Sequence, residues 1–526
     1  MVCVRVQKVS RAGVLGASAV AVPAVVMLAV GLWGLDRGGI WRDEAVTYQV
    51  ARRTVPQIWR LLHGVDAVHG LYYLLMHAVL PLHPGEVVLR LPSVCAATVT
   101  AGLVAALGVR LAGRRVGLWA GLLYAVTPLA GHYAQEGRSY ALVAAGAAGA
   151  TLLLVRAVDE GAGAGRPWWR YGGVVAVTCL LHELAVFMLC AHAVTLALLR
   201  VSWGVWWRWG RAAGAAVVVL LPLVLVSHGQ SRQVEWLPVP DRESAERLLR
   251  SFAVGPEGVV FWGCVVLMAA GLWAGRTAVV MAPLMVVPPA LLMLLSQVRP
   301  LYHERYVLYA LAGAPLLIAA GADRLAGLAR RRSCSWTITA AGASVVALVF
   351  LDLLPLHRQY RTLAHRPDNL AAVSALATRE VRPGDPVLFL PSLGRRAALA
   401  YPKGFQGARD LALKVPGAQS GTLYGREVGP RELRRRLAAV SRLWVVAEPY
   451  ALRSRWFPGD PTERAKLLTV AEGFTPSWEY DRPGVALRLY IRRPATGAQA
   501  TTTPTAAVPL TGSPASPPRP PRPGPP

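Results

Sequence analysis

Long apolar runs separated by short Arg-bearing loops fill the first 356 residues. Runs near 13–35, 91–112, 116–131, 138–156, 171–181, 183–200, 213–228, 257–274, 279–297, 304–321 and 336–354 predict eleven membrane-crossing helices, starting inside. The physical basis is length: about 20 apolar residues at a helical rise cross a bilayer core. Residues 171–200 are short for two crossings and predict a pair of tilted helices turning at His182 and Glu183. Residues 68–82 are apolar but shorter still, which predicts a partly inserted or interfacial helix. With this parity the cytoplasmic loops carry Lys8 and Arg11, Arg114 and Arg115, Arg166 and Arg170, Arg208 and Arg211, Arg276, and Arg330 to Arg332, as the positive-inside rule requires. No A-x-A cleavage site follows the first run, so it is read as a retained span.

Beyond residue 356 the pattern changes to strand-length runs (Val387 to Leu390, Leu443 to Ala447, Val485 to Ile491) alternating with amphipathic stretches such as Arg431 to Val440. The reading is an all-α polytopic membrane domain over 1–356 and an extracytoplasmic α/β domain over 357–493. A Pro-, Thr-, Ala- and Gly-rich tail over 494–526 has too little to bury to fold.

Composition narrows the class. The 526 residues are 54% hydrophobic and 16% charged, with a mean hydropathy of +0.39, which excludes an ordinary soluble enzyme. The net charge of +27 would suggest nucleic acid in a soluble chain, but here the cations lie between apolar runs and set topology. No nucleic-acid partner is expected. Six Cys lack CxxC or metal-ligand spacing, which argues against a disulfide framework or a zinc site, and no GxGxxG or Walker motif is present.

The same parity places six polar clusters on the outer face: Trp41 to Glu44, His69 to Tyr73, Tyr133 to Tyr140, His182 and Glu183, Gln233 to Trp236, and Tyr302 to Tyr306. Asp43 and Glu44 fall in a loop before a helical stretch over 45–53 that is expected to lie at the membrane surface. Adjacent helical residues point about 100° apart, so one carboxylate faces a substrate hydroxyl as general base while Arg or backbone holds the other. The plainer alternative is a pair of acids serving a helix dipole. Arg138 either pins Asp43, binds a phosphate or is a surface arginine, in a turn whose Tyr133, Gln135 and Glu136 exceed what a turn needs. Arg305, next to Tyr306, either holds a phosphate at headgroup depth or snorkels to lipid. His182 with Glu183 suits a proton relay or a satisfied interior group, and Gln233 with Trp236 suits a sugar face or an interfacial belt.

Together Trp41-Arg42-Asp43-Glu44, His69-x-x-Tyr72-Tyr73, Leu89-Arg90-Leu91-Pro92-Ser93, the stretch Tyr133 to Tyr140, and Arg305-Tyr306 resemble bacterial membrane glycosyltransferases of the GT-C fold. The similarity is to the protein mannosyltransferase and aminoarabinose transferase superfamily, glycosyltransferase family 39-like. It implies transfer of a sugar, mannose by default, from a polyprenyl-phosphate carrier to a protein, glycolipid or glycan acceptor outside the membrane, usually with inversion. By position it makes Asp43 the base and Glu44 its acidic neighbour, with Arg138 and Arg305 on the lipid phosphate. His69, Tyr72, Tyr73, Tyr133, Gln135, Glu136, His182, Gln233, Trp236, Tyr302 and Tyr306 are the further substrate-binding candidates. Val68-His69-Gly70 departs from the His-Pro-Pro common in the family. No cofactor is demanded, though a divalent metal is compatible. A polytopic lipid or sugar transporter is the rival, weakened by the lack of an inverted repeat and of mid-span charges.

Overall fold

The computed structural model describes residues 11–160, 166–255, 258–328, 335–453 and 456–494. Lys8, the basic loop at Arg330 to Arg332, Cys3, Cys334 and the expected tail from residue 495 onward lie outside them.

Helices stand at every predicted crossing. After α1 (Arg11–Leu32), the short α2 (Arg42–Ala51) and α3 (Val55–Leu62) lead through a 3-10 turn, Ala67–His69, into α4 (Gly70–Val79). Then come α5 (Glu86–Ala112), α6 (Arg114–Val126), α7 (Pro128–Ala134), α8 (Tyr140–Glu160), α9 (Arg166–Leu181), α10 (Phe187–Leu198) and α11 (Trp203–Gly229). The amphipathic α12 (Arg242–Phe252) precedes α13 (Val259–Gly271) and α14 (Arg276–Leu295). A 3-10 stretch, Glu304–Ala312, runs into α15 (Gly313–Leu328), and α16 (Ser335–Tyr360) closes the helical part.

Among the described residues six segments are long and apolar enough to cross a membrane by themselves: α5, α8, α11, α14, Glu304–Leu328 and Trp336–Tyr360. The chain is therefore a multi-pass membrane protein, with six full crossings supported by length and composition among the described residues against the eleven expected. Several of the other apolar helices are shorter, α10 having 12 residues and α13 having 13. Packing separates the spans: 83% of the Glu304–Leu328 window is buried against 11% for Trp336–Tyr360, so the first is central and the second is a rim helix. Glycines let α5 and α6 touch, since a Cβ on Gly108 would stand 2.6 Å from the Gly117 Cα.

The C-terminal part begins with α17 (Leu370–Glu380) and β1 (Pro386–Leu390), followed by α18 (Arg396–Ala400), β2 (Arg409–Asp410), β3 (Leu413–Val415) and α19 (Gly417–Ser420). It continues with β4 (Arg426–Glu427), α20 (Pro430–Ala438), β5 (Arg442–Ala447), α21 (Pro461–Gly473), β6 (Phe474–Arg482) and β7 (Val485–Arg492). The main sheet has the order β2-β1-β5-β7-β6, parallel from β2 to β5 and antiparallel beyond. Its central strands β1 and β5 are covered on both faces and so read as unbroken apolar runs. The expected boundary at residue 356 falls inside α16, which continues to Tyr360.

This α/β domain sits on the loops that carry the polar clusters. The Asp368 carboxylate accepts from Arg42 Nε at 3.0 Å and Nη2 at 2.8 Å, and the Tyr401 hydroxyl accepts from the Ile40 amide at 2.7 Å. Arg366 donates to the Gln135 carbonyl at 3.2 Å, and Arg53 to that of Leu423 at 3.2 Å. The helical stretch expected at the membrane surface is thus α2, largely buried beneath the domain and beside α4. Asp43 and Glu44 lie in its first turn, not in the loop before it.

Candidate active site

Because α2 starts at Arg42, its first turn presents Asp43 and Glu44 to different neighbours. Glu44 faces inward and is fully buried with Arg90 of α5. Arg90 donates from Nε to Oε1 and from Nη2 to Oε2, both at 2.8 Å, and its remaining hydrogens reach the carbonyls of Leu35, Arg37 and Gly39. Glu44 also accepts from the Gly137 amide at 2.9 Å and the Trp41 amide at 3.4 Å. Burial alone would raise this carboxyl, but Arg90, then Arg366, the Arg90 hydrogen bonds and the Gly137 amide hold it down to about 2. Glu44 is a clamp joining the first loop, α5 and the turn at 135–139. Gly137 is required there by space: a Cβ would meet Leu89 Cγ at 2.7 Å.

Asp43 faces the other way, into a mouth. Its Oδ2 accepts from Arg305 Nη1 at 2.8 Å, and both side chains keep some exposure, 24% for Asp43 and 10% for Arg305. Burial would raise the Asp43 carboxyl, yet Arg305 and then Arg138 outweigh it and the net direction is down. Arg138 does not pin the carboxylate. Its Nη1 lies 3.5 Å from the Asp43 carbonyl, 3.4 Å from Thr47 Oγ1 and 3.5 Å from the Tyr73 hydroxyl. The Arg305 guanidinium lies over the rings of Tyr140 (5.5 Å) and Tyr306 (5.6 Å).

Aromatic rings wall the mouth. His182 packs on Tyr306 at 4.8 Å and on His69 at 6.0 Å, and His69 meets Tyr73 at 6.1 Å. The Nε atoms of Arg138 and Arg305 and the Nδ1 atoms of His69 and His182 are buried with no partner among the described residues. Four unsatisfied nitrogens on neighbouring side chains around the Asp43–Arg305 pair suit an anion and a polyhydroxylated ligand. Glu136 borders this region, its Oε1 also unpartnered; burial lifts its carboxyl to about 7, with Arg305 opposing and Asp43 and Glu44 reinforcing.

Other candidates stand apart. Gln135 Nε2 donates to the carbonyls of Gly31 and Trp33, both at 2.8 Å, and so fastens the end of α1. Tyr72 is fully buried in α4. Tyr133 reaches the mouth only through Tyr140, at 5.9 Å. Among the described residues no hydrogen bond joins Gln233, Trp236 or Tyr302 to Asp43, Arg138 or Arg305. Trp236 is an exposed ring 6.4 Å from His303, and Gln233 accepts from the Asp66 amide. Glu183 accepts from Ser227 Oγ at 2.5 Å. Among the described residues no group of three or more His, Cys, Asp or Glu is placed to hold a metal ion. Sequence reasoning missed Asp66, Thr47 and Tyr424. It quoted Arg90 without a role, although an arginine at the head of an apolar span is a signal in itself.

Three comparisons bear on this architecture. Residues 70–228 match the family model described as Dolichyl-phosphate-mannose-protein mannosyltransferase. No curated protein matches the chain in sequence. Among solved structures, ArnT from Cupriavidus metallidurans in the apo state aligns with a TM-score of 0.59 and 13% identity over 90% of this chain and 98% of that one. The same protein bound to undecaprenyl phosphate gives 0.58 and 12% over 92% and 99%.

The chain is thus a polytopic membrane protein with the GT-C fold. The family match over residues 70–228 and the fold agree with the class read from its motifs, a membrane glycosyltransferase of the GT-C type.

Proposed function

We propose that this enzyme moves a sugar, mannose by default, from a polyprenyl-phosphate donor to an acceptor hydroxyl on the extracytoplasmic side, inverting the anomeric carbon, with Asp43 as general base. The observation that carries this reading is the mostly buried but partly accessible Asp43–Arg305 pair, with Arg138 beside it, at the mouth of an apolar helical body. The description of the matched family and the undecaprenyl phosphate bound by ArnT support a lipid-phosphate donor. The basic loops opposite the mouth support the orientation.

The chemistry follows from the charges. A lipid phosphate is an anion at headgroup depth, and the free edges of Arg138 and Arg305 are donors for it. Arg305 is the strongest attraction keeping Asp43 ionised, so a phosphate that draws Arg305 away raises the proton affinity of Asp43 when a base is needed. The acceptor oxygen then attacks the anomeric carbon and its proton passes to Asp43. The carbon–oxygen bond to phosphate breaks, and its electron pair stays on the phosphate oxygen facing the arginines. The test is Asp43→Asn in membranes supplied with radiolabelled polyprenyl-phosphate mannose. Transfer should be lost with donor binding retained; unchanged transfer refutes the base.

A further inference from the structure

Asp66 lies in the loop between α3 and α4, and the transfer step above leaves it unused. Its backbone is left-handed (φ 63°), a costly conformation that two amides from the turn after α11 hold in place. The Asp66 amide donates to Gln233 Oε1 at 3.2 Å, and the next amide, of Ala67, donates to Gln230 Oε1 at 2.9 Å. The carboxyl group is thereby aimed at Tyr73, whose hydroxyl hydrogen-bonds to its Oδ2. The same hydroxyl stands 3.5 Å from Arg138 Nη1, and Asp66 Oδ1 stands 3.8 Å from His69 Nε2. A connected path therefore runs from the α11 turn through Asp66 and Tyr73 to one of the two mouth arginines.

Asp66 and Asp43 sit in the same mouth in opposite surroundings. Tyr73 and His69 face Asp66 directly and Arg138 lies behind the Tyr73 hydroxyl, with Asp43, Arg305 and Tyr424 of the α/β domain also acting on it. Burial raises the Asp66 carboxyl, Arg138 and the Tyr73 hydrogen bond pulling against it, whereas Asp43 is held low. Of two such carboxyls the raised one binds a proton first. Protonating Asp66 removes one negative charge beside Arg138 and makes the pocket more positive toward the single negative charge of a phosphodiester, with Asp43 and Glu136 the other carboxyls near the two arginines.

We propose that Asp66 is a positioning residue for the donor phosphate: it fixes Arg138 through the Tyr73 phenol, and its protonation sets the net charge of the phosphate pocket. The inference rests on the lipid-phosphate reading above. It is tested with the full chain in membranes by comparing donor KM and kcat across pH for wild type, Asp66→Asn and Tyr73→Phe, with Asp43→Asn as reference. Ionisation of Asp66 should raise donor KM on the alkaline side in the wild type. Asp66→Asn, neutral at every pH, should abolish that rise and keep kcat within a few-fold. Tyr73→Phe should raise donor KM about tenfold with kcat little changed, the size expected for one hydrogen bond. An alkaline rise that persists in Asp66→Asn overturns the proposal, as does a kcat as low as that of Asp43→Asn. Should Asp66→Asn not fold, Tyr73→Phe decides alone, because an unchanged donor KM there breaks the path. Wild-type transfer by Asp43→Asn would instead sink the functional reading itself.

Discussion

On the inner side of α2, Glu44 meets Arg90 with both side chains fully buried and every strong acceptor position used. On the mouth side, one residue earlier, Asp43 meets Arg305 through a single 2.8 Å contact, with part of each side chain open and Arg305 Nε unpartnered. The two pairs share their chemistry and differ in what they leave free. A carboxylate whose lone pairs and partner are all engaged resists protonation and holds backbone in place. A carboxylate on a partly free arginine can exchange that arginine for an incoming anion and then accept a proton. Adjacent acids thus separate into an anchor and a candidate base because a helix turns them about 100° apart.

The sharpest way to break this comparison is Asp43→Asn. It should lower transfer by about 10² to 10⁴, the range for removing a general base, with little change in thermal midpoint because the amide can still accept from Arg305. Equal losses of transfer and stability would mean that Asp43 is an anchor too.

Glu44→Gln should do the reverse. Breaking a buried pair by removing one partner costs about 3–5 kcal/mol, so the variant should show a collapsed folded yield, measured by size-exclusion chromatography in detergent. Replacing both Glu44 and Arg90 by Met should recover a good part of that loss, although the loop carbonyls then lose the Arg90 donors. The pH dependence has a definite sign. The folded carboxyl is held down to about 2 against about 4.3 unfolded, so its stabilisation is complete above about pH 4.3 and is lost as pH falls toward 2. Wild type should therefore lose stability through that acid window, and Glu44→Gln should lose less there.

Arg305→Lys should fall between wild type and the base variant, with a transfer loss of about 10² to 10³. An ammonium keeps the charge but lacks the planar fork that serves a carboxylate and a phosphate together. Full activity in this variant would leave the mouth pair with only a point-charge role.

Much of this was legible in the sequence because membranes impose long apolar runs and basic loops, and both survive without an alignment. The positions of α5, α8 and α14 and the apolar strands β1 and β5 followed within a few residues, whereas α11 begins at Trp203, ten residues before the expected crossing at 213–228. β6 was missed because its faces are mostly exposed and its residues polar, so it carries no apolar run. At the site, Asp43, Arg138 and Arg305 stood out as charges beside apolar spans. Asp66 did not, since its importance comes from a hydrogen-bonded path through Gln233 and Tyr73 that spans 167 positions of the chain. Nor could sequence show that Arg305, rather than Arg138, takes the Asp43 carboxylate. That choice depends on how the Glu304–Ala312 stretch packs against α8.

The smallest effect should come from the third ion pair of α2, Arg42 with Asp368 of the α/β domain. Arg42 is 43% exposed while the Asp368 side chain is fully buried, so solvent screens only one side of the pair, and Asp368 keeps the Arg42 amide at 2.9 Å and Arg396 at 3.7 Å when the guanidinium is removed. Arg42→Gln should therefore cost about 1–2 kcal/mol in thermal unfolding, between the values for an exposed and a fully buried pair. Its effect on transfer is the informative quantity, because Arg42 is the first residue of α2 and immediately precedes Asp43. If the inner clamp alone fixes α2, transfer should stay within about threefold of wild type, because losing the Arg42 guanidinium then leaves Asp43 where it is. A larger drop with no greater loss of stability would show that the docked domain helps to aim Asp43, and would make the mouth a joint product of the helical body and the sheet.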